Sequence, residues 1–263
     1  MCGRINVSDH EGIAALLAMM GMPIQPLSPA RYNVAPGSSL DVVANPSDSP
    51  TRQLQRMHWG FSPQAVQSGS RTLFNARAET VFNKPTFAES ARLRRAIVVI
   101  NGFYEWQVDE FNNRLAHHIL SANRPALALA AIYQSTPSAS LASSKQHTQP
   151  RNAQMSFDLT PEREDLDVSD APSDIGQHTP ATQQVCILTQ AANEQMRSIH
   201  HRMPVPLDLE QAHQWLEAGS IDLLQRLQRQ NERFFTIKRV GAYVNKASND
   251  GIQCIATEPK NTR

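Results

Sequence analysis

The chain has 263 residues, 40% of them hydrophobic and 6% aromatic, enough to bury one good core or at most two small ones. Its 25 basic and 24 acidic side chains leave a net charge of +1, which excludes a coat drawn to phosphate by bulk charge but not a local basic groove. No apolar run approaches 18 residues and no charged-then-apolar leader opens the chain, so the expectation is a cytoplasmic protein without a membrane span.

Cys2 to Val7 reads as a short strand. Ser8, with Glu11 three residues on and an apolar run from Ile13 to Met20 before Gly21, predicts a capped helix over 9–20. Pro23, Pro26 and Pro29 force an extended connection. Arg31 to Ala44 reads as strand, turn at Pro36-Gly37, strand, and Leu54 to Phe61 as another strand. Residues 77–94 predict a helix in two pieces, interrupted near Pro85. Ile97 to Ile100 is a run of four branched apolar residues, the mark of a buried strand. Further strands are expected at Arg114–Leu120, Pro125–Tyr133, Val185–Thr189 and Phe234–Val240. Asp208 caps a helix over Leu209–Ala218, and a second runs from Ile221 to Gln230.

Residues 134–184 differ in character. They are rich in Ser, Thr, Gln, Pro and Asp, with seven acids against three bases, and such a segment cannot bury enough apolar surface to order itself. The expectation is one domain over 1–263 with folded parts 1–133 and 184–250, a disordered low-complexity insertion at 134–184 and a tail at 251–263. Strands dominate, the helices are few, and βαβ alternation and glycine-rich phosphate loops are missing. The fold class is therefore α+β, mainly antiparallel sheet, barrel- or sandwich-like, with peripheral helices.

Three cysteines, Cys2, Cys186 and Cys254, are widely spaced without a CxxC pair, which argues against a disulfide framework or structural zinc. Cys2 carries the most information. Once Met1 is removed, the chain begins with an α-amine and a thiol on adjacent carbons, with reference pKa values of roughly 7.7–8.0 and 8.5. The amine can attack an aldehyde to give a Schiff base, and the thiol can close a thiazolidine ring on it. Alternatively the thiolate attacks a carbonyl with the amine as its base. Asn75, Arg77 and Glu79 stand at two-residue steps that share a face in an extended stretch. Glu105, among aromatics in Gly102-Phe103-Tyr104-Glu105-Trp106, reads as a partly desolvated carboxylate at a strand's end, able to carry a proton. Ile199-His200-His201-Arg202-Met203-Pro204 sets imidazole and guanidinium beside a proline-fixed turn, with no second ligand set at metal spacing.

Taken together, Met1-Cys2-Gly3-Arg4, Tyr32-Asn33-Val34-Ala35-Pro36, Trp59-Gly60-Phe61, Asn75-Ala76-Arg77-Ala78-Glu79, Gly102 to Trp106 and His200 to Pro204 resemble the SOS-response-associated peptidase (SRAP) family, which processes abasic sites. The resemblance implies covalent capture of an abasic site in single-stranded DNA, shielding the lesion during the DNA damage response. Cys2 would form the cross-link, Glu105 and His200 would move protons, and Asn75 would bond the linked sugar. DNA contacts fall on Arg4, Arg77, Trp106, Arg202, Asn33 and Pro36. Autoproteolytic removal of Met1 and an abasic-site lyase activity are implied alongside. No metal, no cofactor and a monomeric state are expected. Two departures stand out: Ser62-Pro63-Gln64-Ala65 lacks the family's second tryptophan, and Arg95-Ala96-Ile97-Val98-Val99 lacks its proline ahead of the Glu105 segment.

Between Arg31 and Arg95 nine bases face four acids, a local excess of +5 suited to phosphate contacts. Two alternatives stay open. One is an N-terminal-nucleophile hydrolase such as a class II glutamine amidotransferase, with Asn101-Gly102 as oxyanion pair. The other is a non-covalent single-strand binder in which Cys2 is incidental.

Overall fold

Strand periodicity explains the architecture. Along Arg95–Ile100 (β6), Ala96, Val98 and Ile100 pack into one apolar cluster while Ile97 and Val99 pack into another. Leu127–Ser135 (β9) divides its alternate residues the same way, so both faces of these strands are buried and their sequence runs apolar without a break. The computed structural model describes residues 2–45, 51–62, 72–135, 183–218, 220–229 and 235–257. Residues 136–182, nearly all of the expected insertion, lie outside them.

The remaining strands are Ile5–Val7 (β1), Arg31–Val34 (β2), Ser39–Ala44 (β3), Gln53–Trp59 (β4), Asn75–Arg77 (β5), Gly102–Val108 (β7) and Arg114–Ser121 (β8). Gln183–Ala191 (β10), Arg202–Pro204 (β11), Pro206–Leu207 (β12) and Phe235–Arg239 (β13) follow. Helices span His10–Met19 (α1), Pro85–Leu93 (α2), Glu194–Arg197 (α3), Leu209–Ala218 (α4) and Ile221–Arg229 (α5), with 3-10 turns at Ala242–Asn245 and Ile252–Ile255. Among the described residues, no helix is long and apolar enough to cross a membrane.

The larger sheet follows the path β11-β10-β4-β3-β6-β9-β12, and β10 also pairs with β9, so β10, β4, β3, β6 and β9 close a ring. Among the described residues, only the β10–β4 and β10–β5 pairings are parallel. The smaller sheet, β13-β8-β7-β1-β2, is antiparallel throughout. Its Ile5, Val34, Phe103 and Ile119 share a core with β6, β9 and β10, while α1, α2, α4 and α5 cover the opposite face of the large sheet. The α+β, mainly antiparallel expectation holds, in a form that combines a closed ring with a packed second sheet.

Local differences have physical causes. Asp9, not Ser8, caps α1, accepting from the Gly12 amide at 3.0 Å, because Ser8 bonds the Asn6 side chain. Residues 77–94 do not form two helical pieces. Asn75–Arg77 is claimed by the free edge of β10, and a single helix begins at Pro85, whose missing N–H and fixed φ suit a first helical position. Asp208 and Gln211 cap α4 reciprocally, at 2.8 and 2.9 Å. Gln134 and Ser135 lie in β9 and Gln183 and Gln184 in β10, so the strands reach past the composition boundary. Within the expected tail, residues 251–257 pack on the fold, with Cys254 buried against Tyr104 and Thr257 bridged to Val240.

Candidate functional site

The chain start is threaded into the interior. The Arg4 carbonyl accepts the Tyr104 amide at 2.9 Å and Ile5 pairs with Phe103, which lays residues 2–5 along β7. Cys2 is completely buried in the core shared by the two sheets. Burial pushes its thiol well above the usual cysteine range, and the negative charge of Glu105 pushes it further. Glu105 follows from parity: Phe103 and Glu105 share the face of β7 toward Cys2, whereas Tyr104 and Trp106 share the other. It is 3% exposed and sits inside a continuous strand, not at a strand's end as expected. The turn needed to bring it there is made at Asn101, so the absence of proline in Arg95–Val99 leaves β6 unbroken.

Asn75 arrives from a different direction. At Gly60, with φ +150°, the chain leaves the edge of β10, and β5 takes that edge from Ile187 onward. The Asn75 Nδ2 then donates to the Cys2 carbonyl at 2.8 Å, while its Oδ1 is buried with no hydrogen-bond partner among the described residues.

Glu105 borders an open cleft of about 370 Å³ lined also by Gly3, Arg4, Trp106, Arg114, His200 and Asn245, and Cys2 is buried next in the chain to the lining Gly3. His200 is half-buried and stacks on the exposed His201 at 4.4 Å between ring centres. The Arg202 amide donates to its Nδ1 at 3.0 Å, which orients the ring. The Arg4 and Arg114 guanidinium groups lie 5.8 and 5.4 Å from the Trp106 ring centre, and the indole N–H donates to Asn245 Oδ1 at 2.6 Å. Sequence reasoning gave no site role to Arg114 or to Asn245, although Val244-Asn245 resembles the family's C-terminal pattern. The signal for Arg114 was the hairpin: once Gly102–Val108 is a strand, its partner strand returns Arg114 opposite Val108.

Several expected DNA contacts are occupied otherwise. Asn33 is fully buried; its Oδ1 accepts from Arg4 and its Nδ2 donates to the carbonyls of Val244, Lys246 and Asn249, pinning the C-terminal segment beside the cleft. Pro36 sits half-buried in the β2–β3 turn. Arg202 gives both terminal nitrogens to Glu79, at 2.6 and 2.9 Å, and bonds the Thr189 carbonyl at 2.7 Å. Partial burial alone would raise the Glu79 carboxyl, but the Arg202 hydrogen bonds, backbone amides and guanidinium charge outweigh it and hold it below the usual carboxylate range. Arg202 is thus a clamp joining β11, β10 and the turn after β5, not an exposed phosphate ligand. Arg202→Met should cost about 2–4 kcal/mol, the lower part of the range for breaking a buried pair because Glu79 is one-third exposed. The urea midpoint measures it.

Part of the basic excess of residues 31–95 is likewise taken up by partners within the chain. Arg31 pairs with Asp250, Arg52 with Glu217 and Arg94 with Glu89, while Arg95 donates to the Trp215 and Glu217 carbonyls. Arg56, Arg77, Lys84 and Arg92 are exposed, Arg92 donating to the Phe82 carbonyl; Arg71 lies outside the described residues, as does the Pro63-Gln64-Ala65 segment. Asn101 donates to the Asp9 carbonyl and accepts the Asp9 amide, both at 2.9 Å, which ties its side chain to the start of α1 instead of offering it to an oxyanion beside Cys2.

Comparison with known proteins supplies the family. The abasic site processing protein YoqW of Bacillus subtilis (strain 168) is 26% identical over 263 residues, spanning 97% of this chain and 99% of that one. The abasic site processing protein YedK of Escherichia coli (strain K12) is 27% identical over 220 residues, spanning 82% and 79%. Among solved structures, a protein from Bacteroides thetaiotaomicron shares the fold at TM-score 0.68 and 20% identity, over 98% of this chain and all of that one. The model of the SOS response associated peptidase family matches residues 1–247, and the chain belongs to that SRAP family.

Proposed function

We propose that this protein processes abasic sites in single-stranded DNA by capturing them covalently at Cys2 after Met1 has been removed. The observation that carries the reading is that Cys2, bonded at its carbonyl by the Asn75 amide and acted on by the Glu105 charge, lies beside a cleft that Glu105 lines with two guanidinium groups. The names of the relatives, abasic site processing proteins, support the substrate class.

The geometry favours the amine as first nucleophile. Reactive cysteines sit in electropositive, accessible surroundings that favour the thiolate. Here burial and the Glu105 charge keep the thiol protonated, the reverse of what a thiolate-driven hydrolase needs. The α-amine attacks the aldehyde carbon of the ring-opened sugar, and loss of water gives the Schiff base. The thiol then adds to the imine carbon: a C–S bond forms, the S–H proton leaves through Glu105, and the imine nitrogen gains a proton, closing the thiazolidine. His200, at the cleft wall, serves the carbonyl side of the same transfers. Asn75 Oδ1 accepts from a sugar hydroxyl or from the freed amine.

Arg77, Arg4 and Arg114 supply phosphate affinity without sequence preference. Trp106 offers a ring for a flanking base, worth roughly 1–3 kcal/mol when stacked. In this reading the peptidase activity is the self-removal of Met1 by Cys2, and lyase cleavage of the strand departs from the same Schiff base.

Glu105→Gln tests the assignment. Adduct formation with an abasic oligonucleotide, followed by denaturing electrophoresis, should slow on the order of a hundredfold, with binding to the intact strand nearly unchanged by anisotropy. Equal loss of both would make Glu105 structural.

A further inference from the structure

The small sheet places a second titratable group behind Glu105. In its register Glu105 lies directly opposite His117, and His117 directly opposite Arg239, so the three side chains form one cross-strand row over β7, β8 and β13. The neighbouring row, Phe103, Ile119 and Ile237, packs into the core that holds Cys2, which fixes the face the row occupies. Tyr104 and His118, stacked at 4.8 Å, take the opposite face, and Lys238 goes with them. Directly opposed side chains have Cβ atoms about 4.5–5.5 Å apart. His117 therefore flanks Glu105 on its β8 side and is not among the residues lining the cleft. The His117 Nδ1 lies 3.0 Å from the Leu115 carbonyl, which only accepts, so Nδ1 carries a proton and Nε2 is the nitrogen left to exchange one.

Resting on the reading of Glu105 as proton carrier, we propose that His117 is a positioning residue that holds Glu105 and relays its proton, with Arg239 biasing the pair electrostatically. When Glu105 has accepted a proton, the carboxyl O–H breaks and an N–H forms at His117 Nε2, leaving a carboxylate beside an imidazolium. The reverse transfer returns the proton for ring opening. The charged groups facing His117 are Glu105 from β7 and Arg239 from β13, whose charge also reaches Asp109 at the hairpin end. The 3-10 turn Ala242–Asn245 packs its Val244 with Tyr104 and Ala116, on the opposite face of the sheet.

Two measurements test the pair. In the full-length protein, the His117 ring followed by nitrogen NMR should titrate on the order of one pH unit lower in Glu105→Gln than in wild type, because a neighbouring carboxylate is lost. An unchanged midpoint overturns the coupling. In His117→Phe, which keeps a ring at the site, the acid limb of the cross-linking rate should move by a similar amount while intact-strand binding holds. A superimposable pH profile overturns the relay. Arg239→Gln should move the same limb by less than His117→Phe does, and a larger shift overturns the order of the row. Were wild type to form no adduct, the capture reading would fail, while the NMR result would still decide whether His117 and Glu105 are coupled.

Discussion

Cys2→Ala should reduce the heat-stable adduct with abasic single-stranded DNA to background, yet leave an adduct that borohydride can trap. The contrast separates two chemistries that share one residue. Alanine at the second position is small enough for methionine aminopeptidase to remove Met1 without Cys2, so the variant, once its mass shows Met1 gone, has a free α-amine and can still form the imine. It cannot close the ring, because the C–S bond has no sulfur to supply it, and the imine hydrolyses when the protein is denatured. Reduction converts the imine to a secondary amine and makes it permanent. Intact mass should show wild type without Met1 gaining the oligonucleotide less one water. Retention of the full stable adduct in Cys2→Ala would end the N-terminal mechanism. Loss of the trapped adduct as well would show that the thiol attacks first, which the buried, protonated state of Cys2 argues against.

The same buried state explains what sequence could and could not deliver. The chemistry-bearing residues were legible because they require particular atoms: an N-terminal thiol, an amide at 75, a carboxylate at 105 and an imidazole at 200. Their convergence was not, since it depends on long-range pairing. Asn75 reaches Cys2 only because β4 leaves the edge of β10 at Gly60 and β5 replaces it. The strand holding Glu105 was missed because Gly102 to Trp106 mixes glycine, aromatics and a charge without clean alternation. Both faces of β7 are buried for most of its length, against different cores, so no polar face marks it.

Charge was the less transparent signal. A count of bases along residues 31–95 gives a basic stretch, but charge per residue says nothing about partners. Asp250, Glu217 and Glu89 take three of those arginines, and backbone carbonyls take another. Arg202 and Asn33 were chosen for their place in motifs, and the structure puts both to work inside the protein. Each nonetheless serves the cleft indirectly. Arg202 holds the strand whose amide orients His200, and Asn33 anchors Arg4 and the segment that carries Asn245.

The largest pH effect on the fold should come from His118. It is 4% exposed, stacked on Tyr104, with Nε2 buried and without a hydrogen-bond partner among the described residues, and so close to Gly102 that a Cβ there would meet Nε2 at 2.6 Å. Burial, assisted by the Lys238 charge, lowers its pKa from 6.5 to about 4. The folded protein therefore refuses a proton that the unfolded chain accepts. Above pH 6.5 neither state is protonated and His118 adds no pH dependence. Between 6.5 and about 4 the unfolded state binds the extra proton and stability falls with falling pH, by roughly 3 kcal/mol at the limit. Below about 4 both states are protonated and the loss levels off. Urea midpoints measured from pH 7.5 to 4 should show this decline in wild type, and His118→Phe, which preserves the stack on Tyr104, should lose most of it. At neutral pH that variant should match or exceed wild type, since an unpartnered buried nitrogen is removed. An equally steep decline in His118→Phe would place the acid sensitivity elsewhere. Because Tyr104 lies between Phe103 and Glu105 on β7, loosening this stack would also loosen the strand that aims Glu105 at Cys2, so capture and stability should fail together in acid.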